Sequence, residues 1–214
     1  LRTFVNAKDI LLLDEPLKSA LNIELRWKLM RSIKKLLRKN ERTSIIVTHD
    51  FDEAAFLADE IGILSKFGKK LWIGLKEDMY YNPPTYEVAT VLGKGVEFNA
   101  EIFLNKEKRE LNYPFSFESN EPSLITGVDK VFIRPTKILI DLTGSGFIIK
   151  EISFQGEYSL IELCPKNETV TLDTPIYASS DSQYFSDDSV GQEVGAKLTS
   201  DSLIYFKENG ERIS

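Results

Sequence analysis

Cysteine and histidine are nearly absent: Cys164 and His49 are the only examples of each in 214 residues. A single thiol excludes an internal disulfide framework and fits a reducing compartment. No apolar run approaches the ~20 residues that span a bilayer, and the opening LRTFVNAKDI carries no signal-peptide pattern. Basic residues are in deficit, 27 against 33 acidic ones, for a formal net charge of -6. That deficit argues against general nucleic-acid binding. It is also local: residues 1–96 hold 16 basic and 13 acidic side chains, residues 97–214 hold 11 and 20. Such an asymmetry points to two units with different surfaces, which suits this length.

What is present divides the same way. In the first part, residues 9–13 form a short unbroken apolar run that reads as a buried strand. Leu25, Leu29, Ile33, Leu36 and Leu37 recur at helical spacing and predict a helix over Ile23–Lys39. Arg26, Arg31, Lys34, Lys35 and Arg38 fall on its flanks and read as a solvated face. Residues 43–48 are β-branched and apolar, a second strand. Residues 52–59 read as a helix and 61–64 as a third strand. This alternation implies a parallel sheet with right-handed crossovers. Past Gly95 the pattern changes to short alternating segments at 97–104, 128–133, 147–154, 159–163 and 203–206. Turn residues such as Asn120-Glu121-Pro122 and Gly144-Ser145-Gly146 separate them, and 179–191 reads as a polar loop. Regularly spaced short strands suggest a small all-β barrel or sandwich.

Chemistry concentrates where the apolar strands end. Ile10-Leu11-Leu12-Leu13 runs straight into Asp14-Glu15-Pro16, and the next strand exits into Thr48-His49-Asp50. Ligands of open parallel sheets bind beyond the carboxyl ends of the strands. Two neighbouring strands would thus bring carboxylates and the lone histidine to one rim. One carboxylate there can hold Mg²⁺ through its waters, and another can orient a water for attack on a terminal phosphate. An Asp-Glu pair after a strand is also a common helix cap, so the pair alone does not decide.

The order of the motifs carries more. ILLLDEP resembles the Walker B strand of ATP-binding cassette (ABC) ATPases. Ser19-Ala20-Leu21-Asn22 resembles their D-loop, and Leu25-Arg26 continues the pattern. Val47-Thr48-His49-Asp50, followed by Glu53-Ala54, resembles the switch-histidine segment, and Leu57-Ala58-Asp59-Glu60-Ile61 matches a further family pattern. The resemblance covers residues 1 to about 95 in consistent order. Beyond it, Phe132-Ile133-Arg134-Pro135-Thr136 and residues 147–156 resemble the accessory β-domain called TOBE that closes many import ATPases. Tyr80-Tyr81-Asn82-Pro83-Pro84 and residues 88–93 resemble the usual junction.

The resemblance implies a fold: an α/β partial P-loop NTPase sheet over 1–95 followed by a small all-β, OB-like or TOBE-like barrel over 96–214. It also implies roles. Asp14 would hold Mg²⁺ through water and so bind the ATP cofactor. Glu15 would be the catalytic base, and His49 would contact the γ-phosphate. Ser19, Ala20, Leu21 and Asn22 would meet a second ATP-binding subunit in a dimer. Other partners would be transmembrane permease subunits and, indirectly, a solute-binding protein. The setting would be the cytoplasm, peripheral on the inner face of the membrane, with no nucleic acid involved. The cargo stays open among iron, polyamine, sugar and oxyanion.

Three features depart from the pattern. No G-x-x-x-x-G-K-[ST] phosphate loop occurs; Gly68-Lys69 and Gly93-Lys94 precede neither Ser nor Thr. The family's signature is missing too, and Leu1-Arg2-Thr3-Phe4-Val5 resembles the helix after it. The chain therefore reads as the C-terminal piece of a longer subunit, expected to bind ATP poorly and hydrolyse none alone. Lys18 looks inserted before the D-loop, and Asn22 stands where aspartate is usual. The alternative is a non-catalytic regulatory or interaction protein derived from such an ATPase.

Overall fold

A computed structural model describes residues 10–18, 22–39, 43–65, 68, 70–105, 110–111, 113–118, 126–166 and 175–213. The opening pentapeptide, Ser19, Ala20 and Leu21 of the D-loop-like stretch, and the Asn120-Glu121-Pro122 turn lie outside these residues. The chain divides into two compact units, between Asn82 and Pro83.

The first unit opens with β1 (Ile10–Asp14), α1 (Ile23–Lys39), β2 (Thr43–Val47) and α2 (Phe51–Leu57). β1 and β2 pair in parallel, with Asp14 opposite Val47. Successive side chains of a strand point to opposite faces. Leu11 and Leu13 therefore turn inward, against Met30 and Ile33 of α1, Leu57 of α2 and Leu17. Ile10, Leu12, Ile45 and Val47 are exposed. Helix α1 spans the predicted residues and starts where Asn22 Oδ1 accepts the backbone N–H groups of Glu24 and Leu25.

The third strand corrects the expected parallel sheet. β3 (Glu60–Leu64) pairs antiparallel with β4 (Lys70–Leu75) in a separate two-stranded sheet. The connection between them is too short for a crossover, and it turns at Gly68, whose φ of 71° suits glycine. β4 is an element beyond those expected. It leads into α3 (Lys76–Tyr81). Lys76 Nζ donates to the carbonyls of Ala55 and Ala58, and Tyr80 stacks on Phe51, which ties the hairpin to α2.

The second unit is sheet-rich. It contains α4 (Tyr86–Val91), β5 (Val96–Asn99), α5 (Ala100–Phe103), β6 (Leu104–Asn105), β7 (Glu110–Leu111), β8 (Phe115–Phe117) and β9 (Lys130–Ile133). Next come β10 (Ile138–Asp141), β11 (Phe147–Phe154), β12 (Tyr158–Pro165), β13 (Ile176–Asp181), β14 (Glu193–Leu198), β15 (Leu203–Phe206) and β16 (Arg212–Ile213). One sheet orders β10-β14-β11-β12-β13, with β8 added in parallel to β14; the other orders β16-β15-β9-β5. A single core lies on both: Phe98, Val131 and Leu203 from one sheet, Phe147, Ile149 and Leu163 from the other.

β9 and β15 are apolar without alternation because both their faces are covered. Val131 and Ile133 face the main core, whereas Phe132, Ile204 and Phe206 pack with Ala89 of α4 and with Tyr86. The segment 83–95 is fixed to this unit by Arg212 N–H donating to Pro84 O, Tyr86 N–H donating to Gly210 O, and Arg134. Arg134 is 4% exposed; its Nη1 donates to the carbonyls of Gly93 at 2.6 Å and Lys94 at 3.2 Å, and its guanidinium lies 4.8 Å from the centre of the Phe132 ring.

Two other expectations change. The expected strand over 97–104 ends at Asn99, where Asn99 Oδ1 accepts from Glu101 N–H and starts the one-turn α5. The expected loop over 179–191 instead continues β13 to Asp181 and then makes two capped 3₁₀ turns, at Ser182–Tyr184 and Asp187–Ser189.

Candidate functional site

β1 and β2 end side by side, so the residues just past each strand meet at one rim. Glu15 N–H donates to Val47 O at 2.8 Å, extending the ladder one residue past Asp14. The chain then turns at once: Lys18 N–H bonds back to Glu15 O, and Glu15 itself takes a left-handed φ of 44°. A side chain with a Cβ adopts that conformation at some energetic expense. Leu17 anchors the turn in the core. Two residues beyond Val47, His49 Nδ1 lies 2.8 Å from Glu15 Oε1. The imidazole is 74% exposed and the Glu15 side chain 25%. Asp14 is exposed on the same face as Leu12. Glu15 and His49 are thus brought together, with Asp14 next to them in the chain.

A partly buried ion network holds this rim. Asp50 caps α2 by accepting Glu53 N–H on Oδ1 at 3.1 Å. Thr48 Oγ1 donates to Glu53 Oε2 at 2.7 Å and accepts Asp50 N–H at 3.1 Å. Arg26 from α1 reaches across to bond both Asp50 and Glu53 Oε1, the latter at 2.7 Å. Glu53 is only 4% exposed, so its charge needs these partners. Burial pulls the Asp50 carboxyl up. Hydrogen bonds from Arg26 and from the backbone N–H groups of Glu53 and Asp52, with the Arg26 charge, outweigh it and hold the group below the usual carboxylate range. The Asp50 hydrogen bond raises Arg26 in turn, and the nearby carboxylates outweigh its desolvation.

Sequence periodicity misses this network. It puts Arg26 on a solvated flank, whereas the side chain clamps α1 to the start of α2. The readable signal is its position one turn after the Asn22 cap together with two acids, at 50 and 53, around a second helix start. Asn22 caps α1, while Ser19, Ala20 and Leu21 lie outside the described residues.

Among the described residues, no cluster of three or more His, Cys, Asp or Glu side chains has the geometry of a metal cage. Mg²⁺ does not need one: it keeps several waters and binds through one or two carboxylates plus substrate phosphates. The exposed Asp14 carboxylate fits that mode.

A rim built from the ends of parallel strands, with an acid pair and a histidine, is compatible with several nucleotide-handling classes. No family model matches the chain. Similarity to curated proteins is more specific: the chain belongs to the family of ABC importer ATP-binding subunits and corresponds to a C-terminal region of them. Among the similar proteins is the spermidine/putrescine import ATP-binding protein PotA of Borrelia garinii subsp. bavariensis, 36% identical over 168 residues. The proteins of the same name from Clostridioides difficile and Mesoplasma florum are 31% identical over 170 residues and 30% over 164. These matches cover 72%, 76% and 72% of this chain but 45%, 47% and 45% of the respective relatives. The chain spans less than half the length of these relatives.

Proposed function

We propose that this chain supplies the Walker B and switch-histidine part of an ATP-hydrolysing importer subunit, together with its accessory β-domain. The observation that carries the reading is the Glu15–His49 contact of 2.8 Å at the paired ends of two parallel strands. In it, Glu15 accepts a proton from the attacking water, and His49 both orients the Glu15 carboxylate and can donate toward the terminal phosphate. Asp14 binds Mg²⁺ through water; with ATP bound, the metal supplies charge neutralisation at the phosphates. The unit up to Asn82 is the nucleotide-binding part and the unit from Pro83 the TOBE-like part, so the junction expected at 95 falls earlier, with 83–95 packed on the second unit. Ser19, Ala20, Leu21 and Asn22 border a second ATP-binding subunit.

The exposed row Ile10, Leu12, Ile45 and Val47 supports the view that further polypeptide completes the sheet. The phosphate-cradling loop, absent from this sequence, would come from that polypeptide, so hydrolysis belongs to the longer subunit. The relatives' names, which speak of spermidine/putrescine import and ATP binding, support polyamine as cargo; transmembrane permease subunits and a solute-binding protein as partners, and a cytoplasmic, membrane-peripheral setting, belong to the same importer reading. The test is Glu15→Gln in the complete subunit. Loss of the base is expected to lower ATP hydrolysis by about 10²–10⁴-fold while ATP binding, read by equilibrium dialysis, persists. Unchanged hydrolysis overturns the assignment and favours a regulatory protein.

A further inference from the structure

The five cations Arg31, Lys34, Lys35, Arg38 and Lys39 line a groove of about 510 Å³ with Phe56. They recur at i, i+3, i+4, i+7 and i+8 along α1, so they form one stripe about 12 Å long. Phe56 of α2 anchors it: Lys34 Nζ sits 4.6 Å from the ring centre and also donates to Phe56 O, and Trp27 holds the ring edge-on at 5.5 Å.

Three observations separate this groove from an ordinary solvated face. Signs are not mixed: α1 carries seven basic residues and one acid, Glu24, in a chain where acids outnumber bases. Among the described residues no carboxylate pairs with any of the five, whereas Arg26 and Lys28 on the same helix are both paired. Favourable interaction with the helix dipole reaches only the last turn; it accounts for Arg38 and Lys39 but not for Arg31, Lys34 and Lys35. Like charges crowded along one stripe repel one another, the more so at low salt, and gain most from a counter-anion of high charge density.

We propose that this groove binds a soluble multivalent phosphate anion of the inorganic polyphosphate type. Two arginines offer planar forks for phosphoryl oxygens, and three lysines add point charges. A row of cations about 12 Å long suits a chain of phosphoryl groups better than one tetrahedral ion. A membrane surface suits it less: Met30 and Ile33 of α1 are committed to the core, and Trp27, exposed beside the stripe, is engaged edge-on with Phe56. The groove is separate from the strand-end rim, because Arg26 already reaches Asp50 and Arg31 begins about 8 Å further down the axis.

The test titrates inorganic tripolyphosphate into the whole chain by calorimetry, with ¹H–¹⁵N spectra to locate it. Saturable binding that shifts the amides of residues 31–39 and leaves His49 unmoved is expected. It should weaken at least tenfold in the R31Q/K35Q/R38Q variant, whose exposed side chains make no hydrogen bond or ion pair among the described residues, and stay unchanged in K150Q/K166Q. Raising salt from ~0.05 to ~0.5 M should weaken it steeply. No saturable binding, shifts centred on His49, or equal affinity in both variants overturns the proposal. Sedimentation with phosphatidylglycerol vesicles but no response to tripolyphosphate overturns it too, in favour of a lipid headgroup.

Discussion

In the second unit β11 buries Phe147 and Ile149 against another sheet, and the outer face of β9 and β15 is covered in turn by α4. In the first unit β1 alternates just as regularly, yet only Leu11 and Leu13 meet a helix, and Leu12 stays 68% exposed. The same strand grammar thus gives a core closed on both sides in one unit and open on one side in the other. Apolar burial scales with the layers available to receive it. The second unit is therefore expected to hold itself together by packing. The first relies on one helical layer and on the Arg26–Asp50–Glu53 clamp.

That contrast can be attacked unit by unit, since both tryptophans, Trp27 and Trp72, lie in the first unit. Their fluorescence follows that unit, while the ¹H–¹⁵N amide signals of β9 to β15 follow the second. The largest effect is expected from Phe147→Ala, which empties a fully buried site beside Phe115 and should destabilise the second unit by about 3–5 kcal/mol. The urea transition read from those amide signals should move and the tryptophan transition should not. Movement of both together would show the units to be one cooperative block.

Next comes Arg134→Leu, which strips the Gly93 and Lys94 carbonyls of their donor. Loss of these charge-assisted bonds should cost about 2–4 kcal/mol in the same transition. Glu53→Gln should lower the tryptophan transition by a smaller amount, about 1–2 kcal/mol, because Arg26 is partly solvated and keeps Asp50.

Last comes an effect confined to alkali. Burial, then the Glu97 hydrogen bond and charge, push Tyr86 up to about 12; burial alone does the same for Tyr205. A group whose pKa is higher folded than unfolded stabilises fully below the unfolded value, here 10.0, and loses that contribution as pH climbs toward 12. Both tyrosines lie in the second unit, so its transition alone should fall over that window.

Much of this is legible in the residues. The apolar periodicity of Ile23–Lys39 and the unbroken run of β15 specify their elements because burial demands those patterns, whereas β1 and β2 are strands as expected but not buried ones, since Ile10, Leu12, Ile45 and Val47 stay exposed. The parts that escape depend on partners distant in the chain. β13 carries only Ile176 and Ala178 inward and otherwise looks like a polar loop, since its other face is exposed or half-exposed. β4 is apolar but comes after a turn that looks like the end of a sheet. At the rim, Asp14, Glu15 and His49 announce themselves by type and order, whereas Arg26 and Thr48 matter only through contacts that cross between elements.

The left-handed backbone at Glu15 bears on which sequences this position can hold. Glycine, and to a lesser degree asparagine, would occupy that φ with less strain. A library sorted for thermal resistance alone should drift away from glutamate here. One sorted for a working carboxylate beside His49 should retain it, so the two selections would pull the same codon in opposite directions.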